Sequence, residues 1–396
     1  MSGPSPATRG RGIRTGSWSR PKPKTEPAVP LSPLLRPVAF DQIPGWSHDE
    51  GMATAHGAFA RSAVRFLEKP YRTGALGIEA SAFAGAFKAA RATPLSAADD
   101  VRRFFEAFFR PCRITPDDRP RGFVTGFYEP QMQASEVLTE RFRFPLYRRP
   151  DDLVDVGEDN RPADMDPYFA FGRLSDGGIV EYFDRAEIEG GALAGRGLEM
   201  AWLADPVDVF FIHVQGAARL IMPDGSARRV TYAAKSGHRF TGPGGILAEL
   251  GEIPLESVTM QKIRGFFREN PARISEILHQ NRSFIFFREA PVDDLSLGPV
   301  AAAKVPLTAG RSIAVDRLLH TFGTPIFVHA PDLDAFGARP FARLMIAQDT
   351  GSAITGSARG DLFAGSGDAA GEIAGVIRHD ADFFALVPRP LLEANP

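Results

Sequence analysis

The chain has 396 residues, 44% hydrophobic and 24% charged, which is enough for two domains with a sizeable core and too apolar for global disorder. A formal net charge of -2 at pH 7 leaves no basic footprint for nucleic acid and excludes that class of partner. The single Cys112 excludes an intrachain disulfide and any zinc site built on paired cysteines, and no run approaches the roughly 18 apolar residues of a membrane span.

Residues 1–38 read as a solvated tail. Arg9, Arg11, Arg14, Arg20, Lys22 and Lys24 lie among prolines that deny the segment regular hydrogen bonding, and large apolar residues are too few to fold it. It also lacks the apolar h-region of a secretory signal. Folding is expected to begin near Phe40. Between residues 52 and 109 apolar positions such as Val101, Phe104, Phe105, Phe108 and Phe109 recur at helical spacing and predict a helical lead-in. From 122 to 235 the pattern becomes β-type, with strands expected at 123–128, 207–214 and 219–222, the last followed by a Pro223-Asp224-Gly225 turn.

Gly242-Pro243-Gly244-Gly245 lacks the lysine and strand-loop-helix setting of a phosphate loop and reads as a flexible turn. Helices return at 246–280. Met260, Ile263, Phe266 and Phe267 share one face, and Asn270-Pro271 supplies a cap and first residue for a second helix, so that two helices link the domains. The remainder predicts short strands at 283–287, 313–315, 325–329, 344–348 and 383–387, hence a small barrel.

The segment with most chemical content is Ala347-Gln348-Asp349-Thr350-Gly351-Ser352-Ala353-Ile354-Thr355-Gly356, followed by Arg359-Gly360-Asp361. A strand ending at Asp349, a loop containing Gly351, Gly356 and Gly360, and a strand starting at Asp361 would place two carboxylates at strand ends. Glycines there allow positive φ and close approach of a ligand. The competing reading is a turn whose aspartates are solvated or cap it.

These residues resemble the C-terminal three-aspartate domain of the membrane-bound lytic transglycosylase A family. Asp316, in Gly310-Arg311-Ser312-Ile313-Ala314-Val315-Asp316, stands for the first aspartate, Asp349 for the second and Asp361 for the third. Upstream, Thr125-Gly126-Phe127-Tyr128-Glu129-Pro130, Asp205-Pro206-Val207-Asp208, His213-Val214-Gln215-Gly216 and Tyr232-Ala233-Ala234-Lys235 resemble further landmarks, so the likeness runs from about residue 40 to the end. The sequence departs at Ala217-Ala218, where the family has Ser-Gly, and at Arg317, where proline is usual.

The resemblance implies a mainly β protein. A double-psi β-barrel domain with supporting helices would come from 39–128 and 242–396, with the three-aspartate region at about 305–388. A second β-barrel, 129–241, would be inserted in it, and the groove between them would hold a glycan strand. It implies a cofactor-free and metal-free lyase that cuts peptidoglycan with Asp361 as its one acid and leaves 1,6-anhydro-MurNAc ends. Thr125, Tyr128, Gln215, Asp349 and Lys235 are then substrate-binding candidates, and Asp316, Gly351 and Gly356 supporting ones.

Each has a plainer reading: Tyr128 as strand core, Lys235 as a solvated cation, Gln215 as a backbone partner, Asp316 as a turn brace. Asp368 and Glu372 read as a helix start. His213, His238, Ser283, Ser312 and Ser352 form no metal or nucleophile motif. Alternatives at the level of function are an inverting hydrolase with Asp349 as base and a non-catalytic wall-binding module. Peptidoglycan strands are the expected partner of a monomer, with a cell-wall synthesis or degradation complex as a further expectation. Action is expected in the periplasm, with outer-membrane association by family analogy, although no signal peptide or lipid-anchor cysteine is visible.

Overall fold

The computed structural model describes residues 30–116, 119–337 and 340–393; the expected tail lies outside them up to residue 29. The tail's last part is ordered, because Leu35 is buried and β1 (Leu35–Pro37) pairs antiparallel with β2 (Phe109–Ile114). Between them run α1 (Met52–Glu68), α2 (Ala84–Ala92) and α3 (Ala98–Phe108). Asp99 and Asp100 open α3, where acids suit the positive end of the helix dipole. Phe109 leaves the helix in extended geometry, contrary to the expected helical face, and packs edge-on to Phe59 and tilted against Phe105 in the core.

The chain continues through β3 (Gly122–Glu129), β4 (Gln131–Gln133), β5 (Phe144–Tyr147), β6 (Leu153–Asp155), β7 (Phe171–Ser175) and β8 (Gly178–Val180). After α4 (Arg185–Glu187) come β9 (Glu199–Leu203), α5 (Pro206–Gln215), β10 (Ala217–Ile221) and β11 (Ala227–Lys235). The strand expected at 207–214 is therefore a helix. Asp205 caps it by accepting from Val207 N at 2.8 Å, Pro206 fills its first turn, and Gly216 ends it at φ 75°. Its residues are apolar on nearly every side because it is buried, which hid the helical period.

Next come α6 (Pro243–Glu249), α7 (Met260–Glu269), α8 (Ile274–Leu278) and β12 (Ile285–Ala290). Gly242-Pro243-Gly244-Gly245 starts α6 with proline in the first turn, rather than forming a flexible turn. The last stretch holds β13 (Ser312–Val315), β14 (Pro325–Ala330), β15 (Phe341–Asp349), β16 (Arg359–Ser366), α9 (Asp368–Val376), β17 (Arg378–Pro388) and α10 (Arg389–Glu393).

Among the described residues, β17, β14, β15, β13, β16 and β3 pair in that order, and the first half of β17 pairs back onto β3, closing six strands into a barrel. Two of its pairings, β13 with β15 and β16 with β3, are parallel. The second half of β17 carries β2 and β1. Val124, Ile313, Ile346, Leu362 and Phe383 fill the core with the aromatic side chains of α1 to α3.

Between β3 and β13 the chain builds a four-stranded sheet, β12-β11-β10-β4, with a two-stranded and a three-stranded sheet beside it. β12, which lies beyond residue 241, forms an edge of that sheet beside β11. The helices α6 to α8, expected with the barrel, bury Ile246, Leu247, Ile263, Phe267 and Ile277 against Val207, Phe210 and Phe211 of α5. They still link the two parts, because Gln261 of α7 donates to Glu372 of α9 at 3.0 Å.

Candidate active site

Barrel closure lines up one row of residues across five strands. Ala314 on β13 pairs with Asp349 on one side and Asp361 on the other; Asp361 pairs with Thr125, and Thr125 with Arg378. Val124 and Leu362 point into the barrel core, so by strand alternation Thr125 and Asp361 face away from it. Asp361 is the third residue of its strand rather than the first, which fixes its backbone on both sides. Gly360 before it faces inward, where a Cβ would lie 2.5 Å from Ile313 Cδ1. A bulge between Ile313 and Ala314 skips Gln348 and brings Asp349 into the row. Gln348 turns inward instead, accepting from Ser312 Oγ at 2.5 Å and donating to Ala58 O at 2.8 Å.

Asp361 keeps partial solvent contact while its carboxyl is packed about by protein. Burial pushes its pKa up from the ordinary carboxylate value, opposed by the hydrogen bond from Thr125 Oγ1 to Oδ1 at 2.6 Å and by the charge of Arg359. Asp349 is pushed up to about 6, first by burial and further by the Asp361 charge; hydrogen bonds from the backbone of Thr350 and Ala302 act against this. The site therefore contains two carboxyls, both biased toward the neutral acid, about two strand spacings or roughly 10 Å apart at Cα.

Asp316 braces the intervening loop. Its Oδ2 accepts from Gly356 N at 3.0 Å and its Oδ1 from Leu318 N at 2.9 Å. Gly356 adopts φ 112°, a region closed to most side chains, whereas Gly351 needs no positive φ and accepts a turn bond from Ile354. Asp368 and Glu372 lie on α9, exposed, with Asp368 in its first turn.

The substrate-binding candidates Tyr128, Gln215 and Lys235 lie in three different settings. Tyr128 is buried against Ala364, Ala370 and Ala374, on the α9 side of β3, and forms no open wall. Gln215 ends α5 rather than lying in a strand, and its Oε1 accepts from Tyr128 N at 3.1 Å, joining the inserted unit to the barrel. Lys235 lies 5.0 Å over the ring of Tyr168, which Arg239 also covers at 4.0 Å. Gln215→Ala is therefore expected to lower the unfolding free energy by about 1–3 kcal/mol, because it strands the Tyr128 N–H. Urea denaturation checks this; unchanged stability with impaired glycan cleavage would make the amide a substrate contact instead.

His213 and His238 are held by partners within the fold. His213 Nδ1 meets Arg185 Nη2 at 3.0 Å in the inserted core, and burial with that cation holds it well below its ordinary value; His238 Nε2 meets Tyr182 O at 2.7 Å. Among the described residues no cluster of three or more His, Cys, Asp or Glu is placed to hold a metal ion.

One neighbour of the site and one buried charge cluster escaped sequence reasoning. Arg359 donates from Nη2 to Thr125 Oγ1 at 2.7 Å; its position two residues before Asp361, on one strand face, is the signal that could have found it. Glu129, fully buried at the end of β3, joins Arg219 and Arg229 of the inserted sheet to Ser366 of the barrel, and nothing local in sequence marks that cluster.

The family described as the MltA specific insert domain matches residues 123–288, and the 3D domain family matches residues 311–387. A solved membrane-bound lytic murein transglycosylase from Agrobacterium tumefaciens is similar to this chain with 48% identity and a TM-score of 0.85, covering 91% of this chain and 99% of that one. MltA from Escherichia coli with bound chitohexaose is 25% identical with a TM-score of 0.62, covering 84% of this chain and 90% of that one. The curated membrane-bound lytic murein transglycosylase A of Escherichia coli K12 is 33% identical over 272 residues, which span 67% of this chain and 66% of that relative, just under two thirds of its length.

Proposed function

The chain belongs to the membrane-bound lytic murein transglycosylase A family, and from that premise we propose that it cleaves the β-1,4 bond between MurNAc and GlcNAc of peptidoglycan with one acid, Asp361. Protonated Asp361 gives its proton to the bridging oxygen as the C1–O bond breaks and positive charge develops at C1. The C6 hydroxyl of the same MurNAc closes onto C1, and its proton returns to Asp361. Catalyst and water balance are then unchanged, and the product ends in 1,6-anhydro-MurNAc.

The observation that carries this reading is the carboxyl of Asp361, set in a barrel ladder, facing away from the core, and biased by burial toward the protonated form that an acid needs. The mixed parallel and antiparallel closure of six strands fits the double-psi type of barrel. Residues 129–290 form the opposite wall of the groove in this reading, and Lys235 with Tyr168 belongs to that wall. Acid, hydroxyl partner and both walls come from one chain, which suits a monomer. The substrate puts the site of action in the periplasm; no helix of the described residues is long and apolar enough to cross a membrane.

A second reading has one observation in its favour. Asp349 and Asp361 stand about two strands apart, near the separation at which inverting glycosidases hold an acid and a base across a water. Oxygen-18 water separates the two. A hydrolase delivers labelled oxygen to C1, whereas attack by the substrate's own C6 hydroxyl takes nothing from solvent. A tethered, well-oriented hydroxyl reaches an effective molarity of about 10⁵ M or more, which outcompetes bulk water. We expect unlabelled anhydro-MurNAc ends, lighter by one water than hydrolytic ends. Labelled reducing ends would establish the two-carboxylate hydrolase, and no cleavage of any wall preparation would leave a binding module.

A further inference from the structure

An arginine, a threonine and the acid form a hydrogen-bonded series. Arg359 Nη2 donates to Thr125 Oγ1 at 2.7 Å, and Thr125 Oγ1 donates to Asp361 Oδ1 at 2.6 Å. Arg359 is itself held: Nη1 donates to the carbonyl of Gly360, and its guanidinium lies 5.7 Å over the ring of Phe123, the residue paired with it across the sheet.

The order of donors is dictated by chemistry. A guanidinium has no acceptor, so its contact with Thr125 must occupy a lone pair of the hydroxyl oxygen. A threonine hydroxyl has one proton, and that proton is then committed to Oδ1 of Asp361. Oδ1 is thereby fixed as an acceptor, leaving Oδ2 as the oxygen that carries the catalytic proton. We propose that Arg359 is a positioning residue acting through Thr125: it fixes which oxygen of Asp361 holds the proton, and its charge supports the carboxylate formed once that proton has gone to the leaving oxygen. The proposal rests on the reading of Asp361 as the acid. Both hydrogen bonds strengthen as Asp361 becomes an anion, so the series favours the charge-separated state over the starting acid.

Other charged groups approach this row from each neighbouring strand. Asp349 stands on β15 with Lys304 beside it, and Arg378 of β17 follows Thr125 in the ladder. Arg119, in the segment before β3, lies 4.8 Å over the Phe123 ring and 3.8 Å from Asp380. Arg359 is the cation hydrogen-bonded to the acid's own partner, and its charge is among the influences that lower the proton affinity of Asp361.

The sign of its removal follows. Without the guanidinium the carboxylate is less stable, Asp361 retains its proton to higher pH, and the alkaline limb of the rate profile moves upward although the maximal rate falls. The test uses the full chain on purified peptidoglycan, following anhydro-MurNAc ends against pH for the wild type, Arg359→Gln, Arg359→Lys and Asp361→Asn, with thermal melting of each. Expected for Arg359→Gln are a kcat roughly tenfold lower, an alkaline limb higher by about one pH unit, and little change in KM. Arg359→Lys, which keeps the charge, should return the limb toward its wild-type position. A folded Arg359→Gln whose limb stays or moves down, or whose loss is confined to KM, overturns the proposal. If Arg359→Gln does not fold, Arg359→Lys decides, since a displaced limb with the charge retained would also overturn it. Activity in Asp361→Asn would instead remove the acid assignment itself, whereas an inactive Asp361→Asn with an unmoved Arg359→Gln limb removes only the role of Arg359.

Discussion

Asp361→Asn is expected to leave the melting temperature nearly unchanged and to reduce formation of anhydro-MurNAc ends at least about a hundredfold, the usual scale for a general acid. The amide is close in shape to the carboxyl, and its oxygen can still accept the Thr125 hydroxyl bond. It carries no acidic proton for the bridging oxygen. Burial already disfavours the charged carboxylate, so replacing it with a neutral amide removes no favourable ion pair from the fold. Asp368→Asn supplies the contrast, because Asp368 is exposed in the first turn of α9 and should retain most activity. Turnover on purified wall with parallel melting curves measures both; near-normal cleavage by a folded Asp361→Asn would remove that residue from the mechanism. The wild-type rate should fall as pH rises through the raised titration of Asp361, since the protonated form is the active one. Asp349, pushed up to about 6, becomes an anion within the same range.

Glu129→Ala should be the most damaging single change to stability, at about 3–5 kcal/mol, the cost of breaking a buried ion pair by removing one partner. Glu129 is completely buried. Its carboxylate accepts from Arg229 Nε at 2.5 Å, Arg219 Nη2 at 3.0 Å and Ser366 Oγ at 2.6 Å. Without it two guanidiniums remain in the interior, left with the carbonyls of Leu295, Leu297 and Pro291 and the Ser366 hydroxyl, none of which carries a compensating charge. Chemical denaturation of the purified variant reads the loss, and a decrease of less than about 1 kcal/mol would show that the cluster relaxes or admits water. The same carboxylate joins the ends of β3 and β16 to β10 and β11, so a milder variant, Glu129→Gln, should loosen the relation between barrel and inserted sheet before it unfolds either.

The parts of this molecule legible in sequence are those whose information is local. The lead-in helices showed their period because one face is wet, and the final strands showed theirs through short apolar runs between turn residues. The helix over Pro206–Gln215 did not, since burial makes it apolar all round; its boundary signals, Asp205-Pro206 and Gly216, were present and outweighed by β-branched and aromatic composition. That error also misplaced Gln215, whose amide serves the backbone of Tyr128 from a helix end. The membership of β12 in the inserted sheet was not legible, because it depends on pairing with β11 across three intervening helices. Asp361, Asp349 and Asp316 could be named from motif order. Their surroundings could not, because these follow from a register shift beside Ala314 and from the groups each carboxylate meets, backbone amides at Asp349 and Asp316 and a hydroxyl at Asp361.

The closure of the barrel by β17 also sets when the Thr125–Asp361 pair can first form. Thr125 and Asp361 are neighbours in space and 236 residues apart in the chain, with the whole inserted unit between them. As the chain emerges from the ribosome, β4 to β12 are complete by Ala290 and can pack around their own core. Throughout that time β3 is a lone strand, with Val124 and Phe127 lacking their partners from β16 and the core. Pairings of such long sequence separation form slowly and late. The Thr125 hydroxyl and the strand ladder around Asp361 come together only when the last part of the chain docks, so on the proposed reading of Asp361 as the acid an unfinished or C-terminally nicked chain would carry that residue without the setting it needs to cut a glycan strand.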